Sequence, residues 1–582
     1  MNKLIFLIQK NKSTLQLGAY LIILYILLFF LFSRYFGWID DVFMINYLKG
    51  TFYGKPDNAL FIDTFLGWSI LFKKLYVTVP AFPWFESSVY LLLALAIARS
   101  NIMLVNHHIL AAYHSTIWKY LLLTLINIAL FLHLVQLSTF TSVCILSSGI
   151  FLVSYFSSRH RDGWVFFLLF VCAFLMRPLL ALPAVLIICC VSVSVDHSKF
   201  LKLSPVVLVI ALSFFVQSRS SNPDIALLKS IHGRAVYLLD GQNSPLLKTK
   251  KTNEDIRQSA FFSWFCGDIP QLYSDSFLKK LEPENKLAYH TEYFKEDILA
   301  EIQTSASLYD GSYALFRNWR TRGLLLFALL VATSAYVAAC AFGLKRKLAA
   351  ISIVLLFVVV LFFIAGFMKM EERFFYPTCL ALLFALLSID IEPSKTNFSS
   401  SRLIKNAGLI SLLVLAVIQI KDAASAHQEL EKEYGQKRAF IEEINNSVNN
   451  KIVFFDTWSM GCIHSKPFEA WSLPANNQYT CYGETWSNFL KPHMDYLGTV
   501  CSDPQDMKVY FDCLSKRKDV LFLISSFRAE FLKNYLYQVH HLHIHLRKIN
   551  HHDAFDNLHY SFLPYRYDFG LYEMEQVALD IK

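Results

Sequence analysis

Two adjacent aspartates, Asp40 and Asp41, stand in the stretch GWIDDVFMINYLKG, directly after an apolar run that ends near Phe36. Charge is costly to hold near lipid, so an acidic pair at this position indicates a function. Asp41, Ile45 and Leu48 fall on one side of a predicted helix, which one of the aspartates can cap. A cap needs one carboxylate, and the other can then accept a proton from a substrate hydroxyl or bind a cation.

Cationic residues elsewhere in the chain would complement that chemistry. A base at the membrane surface can act on a hydroxyl while the lipid tail of its substrate stays in the bilayer, and the leaving group would be a lipid-linked phosphate. Arginine suits that anion because its guanidinium binds two oxygens. The simpler explanation of each cation is a side chain that reaches from the membrane edge to water. The candidates are Arg177, Lys369, Arg373 and the group Arg317, Arg320 and Arg322. Arg177 stands out because it directly follows the apolar run FLLFVCAFLM and precedes Pro178.

The elements that must position these residues are membrane helices. The chain has 582 residues, 55% of them hydrophobic, with repeated apolar runs of about twenty residues, the length that crosses a bilayer. The net charge of +9 comes mostly from basic residues in short loops between those runs, as membrane topology requires. No nucleic-acid-binding motif occurs. We therefore predict a multi-pass membrane protein in the lipid bilayer, without a nucleic-acid partner.

The apolar runs predict about eleven membrane spans. They lie near 15–36, 86–105, 117–137, 139–157, 164–180, 182–195, 204–217, 324–343, 349–367, 374–389 and 406–420. Lys3, Lys10 and Lys12 precede the first span, so the positive-inside rule places the N-terminus in the cytoplasm and the acidic pair outside. Basic residues in five later predicted inner loops agree with this orientation. The agreement requires that residues 59–79 form an interfacial helix and not a span.

Polar stretches divide the chain into four regions. Residues 1–217 form an N-terminal transmembrane module, with the acidic pair in the first outer loop at 37–85. Residues 218–322 form an extracytoplasmic loop segment, and residues 323–421 form the C-terminal transmembrane helices. An amphipathic helix and the β-rich runs KIVFFD and DVLFLISS predict a small α/β domain over 422–582, outside the membrane.

The loop segment contains SAFFSWFCGDIPQLYSD, which combines aromatic residues with two aspartates. Its length favours a functional role. Aromatic rings can stack on sugars, so Trp264 and Asp268, with Glu372 farther along the chain, are candidate contacts for a sugar or an acceptor. The alternative for the aromatic stretch is an amphipathic helix at the membrane interface, where Phe and Trp are favoured.

Cysteines and histidines of the outer domain raise two further questions. Cys462, Cys481, Cys501 and Cys513 are compatible with two disulfides of open connectivity, and the alternative is four reduced thiols. In HHLHIHLRKINHH, side chains at 541, 543 and 545 would share one face of a strand. No Cys, Asp or Glu completes a recognised metal-ligand spacing there, so we predict a polar strand face and no metal site.

Taken together, these features resemble the GT-C superfamily of membrane glycosyltransferases. The resemblance rests on a cytoplasmic N-terminus, one span, the pair Asp40-Asp41 opening a long first outer loop, interfacial helices, about eleven spans and an outer C-terminal domain. Members include protein O-mannosyltransferases and aminoarabinose transferases, which take a sugar from a polyprenyl-phosphate carrier. The segments YLKGTFYGKPDNALFID and LQLSTFT and the Arg177 helix also resemble polytopic proteins encoded with bacterial surface polysaccharide genes.

The resemblance implies a fold, an activity and a location. The fold is an α-helical polytopic GT-C-like bundle with a small extracytoplasmic α/β domain, and the location is a bacterial inner membrane with that domain in the periplasm. The activity is transfer of a sugar from a polyprenyl phosphate to a glycan, lipid or protein acceptor. The resemblance implies that a first-loop aspartate, Asp40 or Asp41, is the base. We favour Asp40, which remains free if Asp41 caps the helix, and the reverse assignment is the alternative. No cofactor is required, and a divalent cation (Mg²⁺ or Mn²⁺) is optional, with Asp63, Asp268 and Glu372 as distant acidic groups.

Two other classes of protein are alternatives. An O-antigen-type oligosaccharide polymerase or ligase also has about a dozen spans and a large outer loop, and it relies on outer arginines and histidines more than on a first-loop acidic pair. A lipid-linked glycan transporter or flippase should show paired halves or polar residues in mid-span. Neither feature is evident in the sequence, whose charges gather at the predicted outer interface.

Overall fold

The computed structural model describes most of the predicted membrane helices and much of residues 422–582, for which we keep the name outer domain from the predicted orientation. The described residues are 12–30, 35–36, 45, 48, 66–106, 116–158, 160–219, 231, 234–235, 238–239, 256–262, 265, 267–282, 314–341, 343–367, 372–389, 409–425, 427–428, 431–432, 435, 439, 442, 448–455, 478–481, 491–549 and 569–576. They are mostly helical, with a small sheet near the C-terminus.

The helices of the first half are α1 Lys12–Phe30, α2 Leu66–Thr78, α3 Trp84–Asn106, α4 Thr116–Gln136, α5 Phe140–Ser157, α6 His160–Met176, α7 Pro178–Val195 and α8 Phe200–Arg219. The loop segment contributes α9 Ile256–Phe262, α10 Ile269–Leu272 and α11 Asp275–Leu281. Later helices are α12 Ala314–Cys340, α13 Leu344–Phe367, α14 Glu372–Leu387, α15 at 409–425, α16 Lys491–Val500, α17 Met507–Leu514 and α18 Ser526–His540.

A helix occupies each of the eleven predicted span segments. Five stretches are long and apolar enough to cross a membrane, and they lie in α3, α4, α5, α7 and α8 with its preceding turn. Apolar parts of α1, α6, α12 and α14 are shorter than that standard. The chain is thus a helical protein with several membrane-spanning helices, and the full count of eleven stays a prediction.

Helix α5 is the centre of the bundle. Every one of its residues from Phe140 to Phe156 is buried, and it contacts α3, α6, α7 and α14. Small side chains permit this close packing, as is usual between membrane helices. A methyl group added at Gly149 would come within 2.4 Å of the Ala381 side chain in α14, so that contact requires glycine.

A polar contact joins α3 to α4 inside the bundle. Asn101 and Asn127 donate to each other's side-chain oxygens at 2.9 and 2.7 Å, and each also donates to a carbonyl of its own helix. Both side chains are fully buried. All four amide hydrogens and both oxygens are therefore engaged, which lets two polar residues sit within apolar spans.

The outer domain contains a five-stranded mixed sheet in the order β4-β3-β5-β7-β6. The strands are β3 Ile452–Phe455, β4 Gln478–Cys481, β5 Val520–Ser525, β6 Ile544–Lys548 and β7 Phe569–Gln576. Parallel pairs join β3 to β4 and β5, while β7 runs antiparallel to both of its neighbours. The predicted α/β character of this region is confirmed for the described residues.

Alternate residues of the sheet enter two hydrophobic cores. Val453 and Leu523 belong to the core of the helical bundle, whereas Phe454 and Phe522 belong to a second core. That second core also contains Phe261, Phe265 and Tyr273 of the loop segment. The aromatic stretch therefore packs inside the outer domain through these three residues, an arrangement that neither sequence-based alternative anticipated.

Two smaller predictions about the outer domain have different outcomes. Cys501 and Cys513 form a disulfide that joins the end of α16 to α17. Cys462 and the side chain of Cys481 lie outside the described residues. The prediction that residues 541, 543 and 545 share one face of a strand is wrong. His541 caps the end of α18 with a φ of 53°, and β6 begins only at Ile544.

Candidate functional site

Four helices begin close together at one end of the bundle. Their first residues are Trp84 in α3, Phe140 in α5, Pro178 in α7 and Glu372 in α14. A helix N-terminus carries a partial positive charge, so neighbouring N-termini favour an anion. We call this place the arginine end, after Arg177 and Arg373, which stand at the starts of α7 and α14.

Arg177 is the best-defined cation of the arginine end. Its side chain is buried, and Nη1 donates a hydrogen bond of 2.6 Å to the hydroxyl of Thr141 in the first turn of α5. The guanidinium carbon lies 4.6 Å from the centre of the Phe140 ring, a cation–π distance. These contacts hold the guanidinium at the junction of α5 and α7, and its role toward phosphate stays a prediction.

The start of α14 is fixed to the start of α5 by a chain of hydroxyl contacts. Thr139 caps α5, since its hydroxyl accepts from the amide of Ser142 at 3.1 Å and donates to the Ser142 hydroxyl at 2.8 Å. The Ser142 hydroxyl in turn donates to the carbonyl of Arg373 at 3.1 Å. Arg373 is half-buried at this junction. The structure therefore places the starts of α7 and α14, which contain the sequence-predicted cations Arg177 and Arg373, against the start of α5.

A short strand pair links the arginine end to the acidic loop. Strand β1, Tyr35–Phe36, pairs in parallel with β2, Leu137–Ser138, which directly precedes the cap of α5. The chain from β1 continues through three residues to Asp40. Asp40 and Asp41 themselves lie outside the described residues. Their proposed partnership with Arg177 therefore stays a prediction.

A buried carboxylate also lies at the arginine end. Glu86 in the first turn of α3 is only 1% exposed, and it accepts a hydrogen bond of 3.1 Å from the hydroxyl of Tyr76 in α2. Burial raises the pKa of Tyr76, and the adjacent Glu86 raises it further, so the hydroxyl stays protonated and donates. The neighbouring Phe85 ring lies 5.8 Å from the Phe140 ring, which places this pair close to Arg177.

Beneath these residues, Tyr376 of α14 joins α4 and α15. Its buried hydroxyl donates to the carbonyls of Ala129 and Leu130 at 3.3 and 3.1 Å and accepts from Gln419 at 3.2 Å. Gln136, at the end of α4, donates to the carbonyl of Ala423 at 2.9 Å. These contacts fix the helices that support the arginine end.

Asp268 lies in the second core, away from the arginine end. Its carboxylate is 2% exposed, and Oδ2 accepts from the Tyr535 hydroxyl at 2.8 Å and contacts Nε2 of His540 at 2.6 Å. Neither of these contacts involves Arg177 or Arg373. The structure thus gives Asp268 a place in the docking of α10 onto α18, while its contact with a sugar or an acceptor stays a prediction.

For four other sequence-predicted residues, the structure describes the backbone alone or neither backbone nor side chain. Lys369 and Trp264 lie outside the described residues. Arg320 and Glu372 belong to helices α12 and α14, and the description covers only their backbone. Within the described residues, no group of three His, Cys, Asp or Glu side chains could hold a metal ion, and the optional divalent cation stays a prediction.

Sequence analysis missed several residues of the arginine end. Thr141 and Phe140 hold Arg177, and Tyr76 and Glu86 form the buried pair beside them. The turn LQLSTFT already contains Thr139 directly before an apolar run, which is the signal of a helix cap.

Comparisons with known proteins add no relative to this description. No family model, curated protein or solved structure matches the chain.

Proposed function

We propose that the protein is a membrane glycosyltransferase that moves a sugar from a polyprenyl-phosphate donor to a glycan, lipid or protein acceptor. The observation that carries the proposal is the arginine end, where the helix starts that contain Arg177 and Arg373 lie against the start of α5, next to the strand pair that precedes the acidic loop in the chain. The proposed setting is a bacterial inner membrane, with the reaction on its periplasmic face.

The reaction explains why an anion site belongs next to a base. The acceptor hydroxyl loses its proton to Asp40, and its oxygen forms a bond to the anomeric carbon of the donor sugar. The bond from that carbon to the phosphate oxygen breaks, and the electron pair leaves with the polyprenyl phosphate. A phosphodiester with one negative charge thus becomes a monoester with nearly two at neutral pH. Cations and helix N-termini stabilise this gain of charge most where water is excluded.

Covalent reach limits how far the base can be from the anion site. A chain segment spans at most about 3.6 Å per residue, so four residues from Phe36 to Asp40 cover about 14 Å or less. Phe36 is paired with Ser138, and Ser138 directly precedes the cap of α5. Asp40 is therefore tethered within about 14 Å of Phe36, whose partner Ser138 directly precedes the cap of the helix that contacts Arg177.

Arg99 of α3 is a matched control for Arg177, because both arginines donate to a hydroxyl of α5. Arg99 also donates from its guanidinium to a hydroxyl of α5, Nε to Ser154 at 2.8 Å, and it lies 4.4 Å from the Phe166 ring. This second arginine contacts α5 near its other end. Arg99 makes the same kinds of contact as Arg177 but lies away from the arginine end. A substitution at Arg99 therefore reports general effects on folding.

The test is sugar transfer by purified protein in lipid nanodiscs supplied with synthetic polyprenyl-phosphate sugars and a crude acceptor fraction. We expect release of polyprenyl phosphate from at least one donor, strong loss of release with Arg177→Gln, and near-normal release with Arg99→Gln. Equal release by wild type and Arg177→Gln, with every donor that reacts, would contradict the proposed role of the arginine end.

A polymerase or ligase of lipid-linked oligosaccharides is a second candidate, because the described part of the site is built from arginines. In that reaction Arg177 and Arg373 would bind the diphosphate of the carrier in the same way. Dependence on the acidic pair separates the two candidates. Loss of transfer with Asp40→Asn favours the glycosyltransferase, whereas transfer that needs Arg177 but neither aspartate favours the polymerase or ligase.

A further inference from the structure

A cluster of basic residues lies at the end of the bundle opposite the arginine end. The basic residues are Lys199, Lys202, Lys345, Arg346 and Lys347, and the only acidic residue within 196–202 and 343–348 is Asp196. They come from two places in the chain, the turn between α7 and α8 and the start of α13. We call this cluster the basic shelf.

Contacts between the two chain segments show that the shelf is one surface. The Lys345 ammonium lies 3.4 Å from Nε2 of His197. Asp196 accepts from the amide and the hydroxyl of Ser198 at 3.0 and 2.7 Å. These bonds hold the pKa of Asp196 below its usual range, and the charges of Lys199 and Arg346 lower it further, which places cations from both segments around one carboxylate.

Lys202 fixes the shelf to the end of α5. Its ammonium donates to the carbonyls of Tyr155, Phe156 and Ser158 at 3.0, 3.4 and 2.6 Å, where α5 ends. Cations stabilise the C-terminus of a helix, so this lysine is engaged with the protein. By sequence, residues 196–202 and 343–348 contain five basic residues and one acidic residue, an excess of four positive charges.

Exposed apolar side chains flank the charges. Phe200 and Leu201 directly follow Lys199 and are 64% and 82% exposed, and Leu344 and Leu348 bracket the three basic residues of α13 with exposures of 70% and 53%. Helix α8 is apolar and largely unburied by the protein, as expected of a helix that faces lipid. Cations and exposed apolar side chains alternate here within one helical turn.

The position of the shelf matches the edge of a bilayer. Helix α5 has 18 residues and runs from the arginine end to the shelf. At 1.5 Å per residue it is about 27 Å long, close to the thickness of the hydrocarbon core. The arginine end and the basic shelf therefore lie near the two opposite surfaces of the membrane.

We propose that the basic shelf binds the headgroup of an anionic phospholipid. The phosphate lies against Lys345 and Lys347, and the acyl chains lie along the exposed side chains of Phe200, Leu201, Leu344 and Leu348. Charge complementarity selects the anionic headgroup, since a zwitterionic lipid would bring a second positive charge to a surface that already has an excess. This site is separate from the proposed transfer reaction and does not depend on it.

The test uses the full-length protein in neutral detergent, with phosphatidylglycerol and phosphatidylcholine added in equal amounts and bound lipid counted by native mass spectrometry. We expect about fivefold more bound phosphatidylglycerol, and loss of that preference in the double variant Lys345→Gln/Lys347→Gln. The matched control is Lys73→Gln/Lys74→Gln, which removes the same charge from α2 near the arginine end and should keep the preference.

Two outcomes of the comparison between variants would overturn the proposal. One is an unchanged preference in Lys345→Gln/Lys347→Gln, and the other is an equal loss in both double variants, which would indicate general attraction by net charge. A measurement on the wild type alone adds an independent check. The preference should fall severalfold between 50 and 500 mM salt, because screening weakens charge contacts at a surface, and a preference that salt does not change would also overturn the proposal.

Discussion

Arg177 and Thr141 are joined by a hydrogen bond of 2.6 Å between the guanidinium and the hydroxyl, across the junction of α7 and α5. The two residues are 36 positions apart in the sequence, and each stands at the start of a helix. The bond orients a buried cation at the place where helix N-termini meet. Geometry at this junction, more than charge alone, should therefore decide how well a phosphate binds.

Replacing Arg177 by lysine keeps the charge and removes the planar fork. We expect Arg177→Lys to raise KM for the donor about tenfold, since a charged hydrogen bond is worth about 1.5–3 kcal/mol. Thr141→Val leaves the arginine in place and should raise KM only a few-fold. Arg99→Lys is the control with the same chemistry at the other end of α5. A change in kcat alone, with KM unaltered in Arg177→Lys, would contradict a role in donor binding.

The pair Asn101 and Asn127 should stabilise the contact of α3 with α4. Asn127→Ala leaves a buried amide of Asn101 without its partner, so we expect a loss of about 1 kcal/mol in the free energy of unfolding. The double variant Asn101→Leu/Asn127→Leu removes both polar groups and should be less damaging than the single one. Heat unfolding in detergent measures the stability of both variants. A double variant that is less stable than Asn127→Ala would count against this account.

The disulfide between Cys501 and Cys513 closes a short loop in the outer domain, with a sequence separation of 12. Cross-linking a loop of this size lowers the entropy of the unfolded chain and is worth about 3 kcal/mol. Cys501→Ser/Cys513→Ser should therefore lower the unfolding temperature of the outer domain, while Cys172→Ser, at a free thiol of the bundle, should not. Alkylation of both thiols in unreduced protein would show that the bond is absent.

Asp268 should mainly stabilise the packing of the loop segment against α18. Asp268→Ala leaves the buried Tyr535 hydroxyl and the His540 ring without their carboxylate, and we expect a cost of about 2 kcal/mol. Asp268→Asn keeps an acceptor oxygen and should cost less. Limited proteolysis near α10 reports the docking directly. Full resistance in Asp268→Ala combined with loss of transfer would instead favour the direct substrate contact that the sequence suggested.

Hydrophobic patterning was enough to predict the helices and the outer α/β domain. Inside a bilayer the backbone must satisfy its own hydrogen bonds, so an apolar run of membrane length predicts a helix. The same patterning could not predict that Phe261 and Phe265 enter the core of the outer domain, because an apolar stripe does not specify its partner. Histidines 541, 543 and 545 were misassigned for a related reason, since helix α18 extends farther than the local alternation indicated.

The candidate site was predictable only in part. Arg177 was recognisable because an arginine that interrupts an apolar run is rare and usually functional. Its partner Thr141 was not, because their contact depends on how α5 and α7 pack, and a sequence separation of 36 has no periodic signal. Glu86 escaped notice because it opens an apolar helix, where a single acidic residue is explained equally well by the helix dipole.

The most direct test of the central claim is the mass of polyprenyl-linked lipids and surface glycans in cells. Wild type would be compared with a deletion, and with the deletion carrying wild-type protein, Asp40→Asn or Arg99→Gln at equal membrane levels. A glycosyltransferase that uses Asp40 as base predicts one sugar missing from the deletion, restored by wild type and Arg99→Gln, and not restored by Asp40→Asn. Unchanged glycan masses in the deletion, or full restoration by Asp40→Asn, would contradict it.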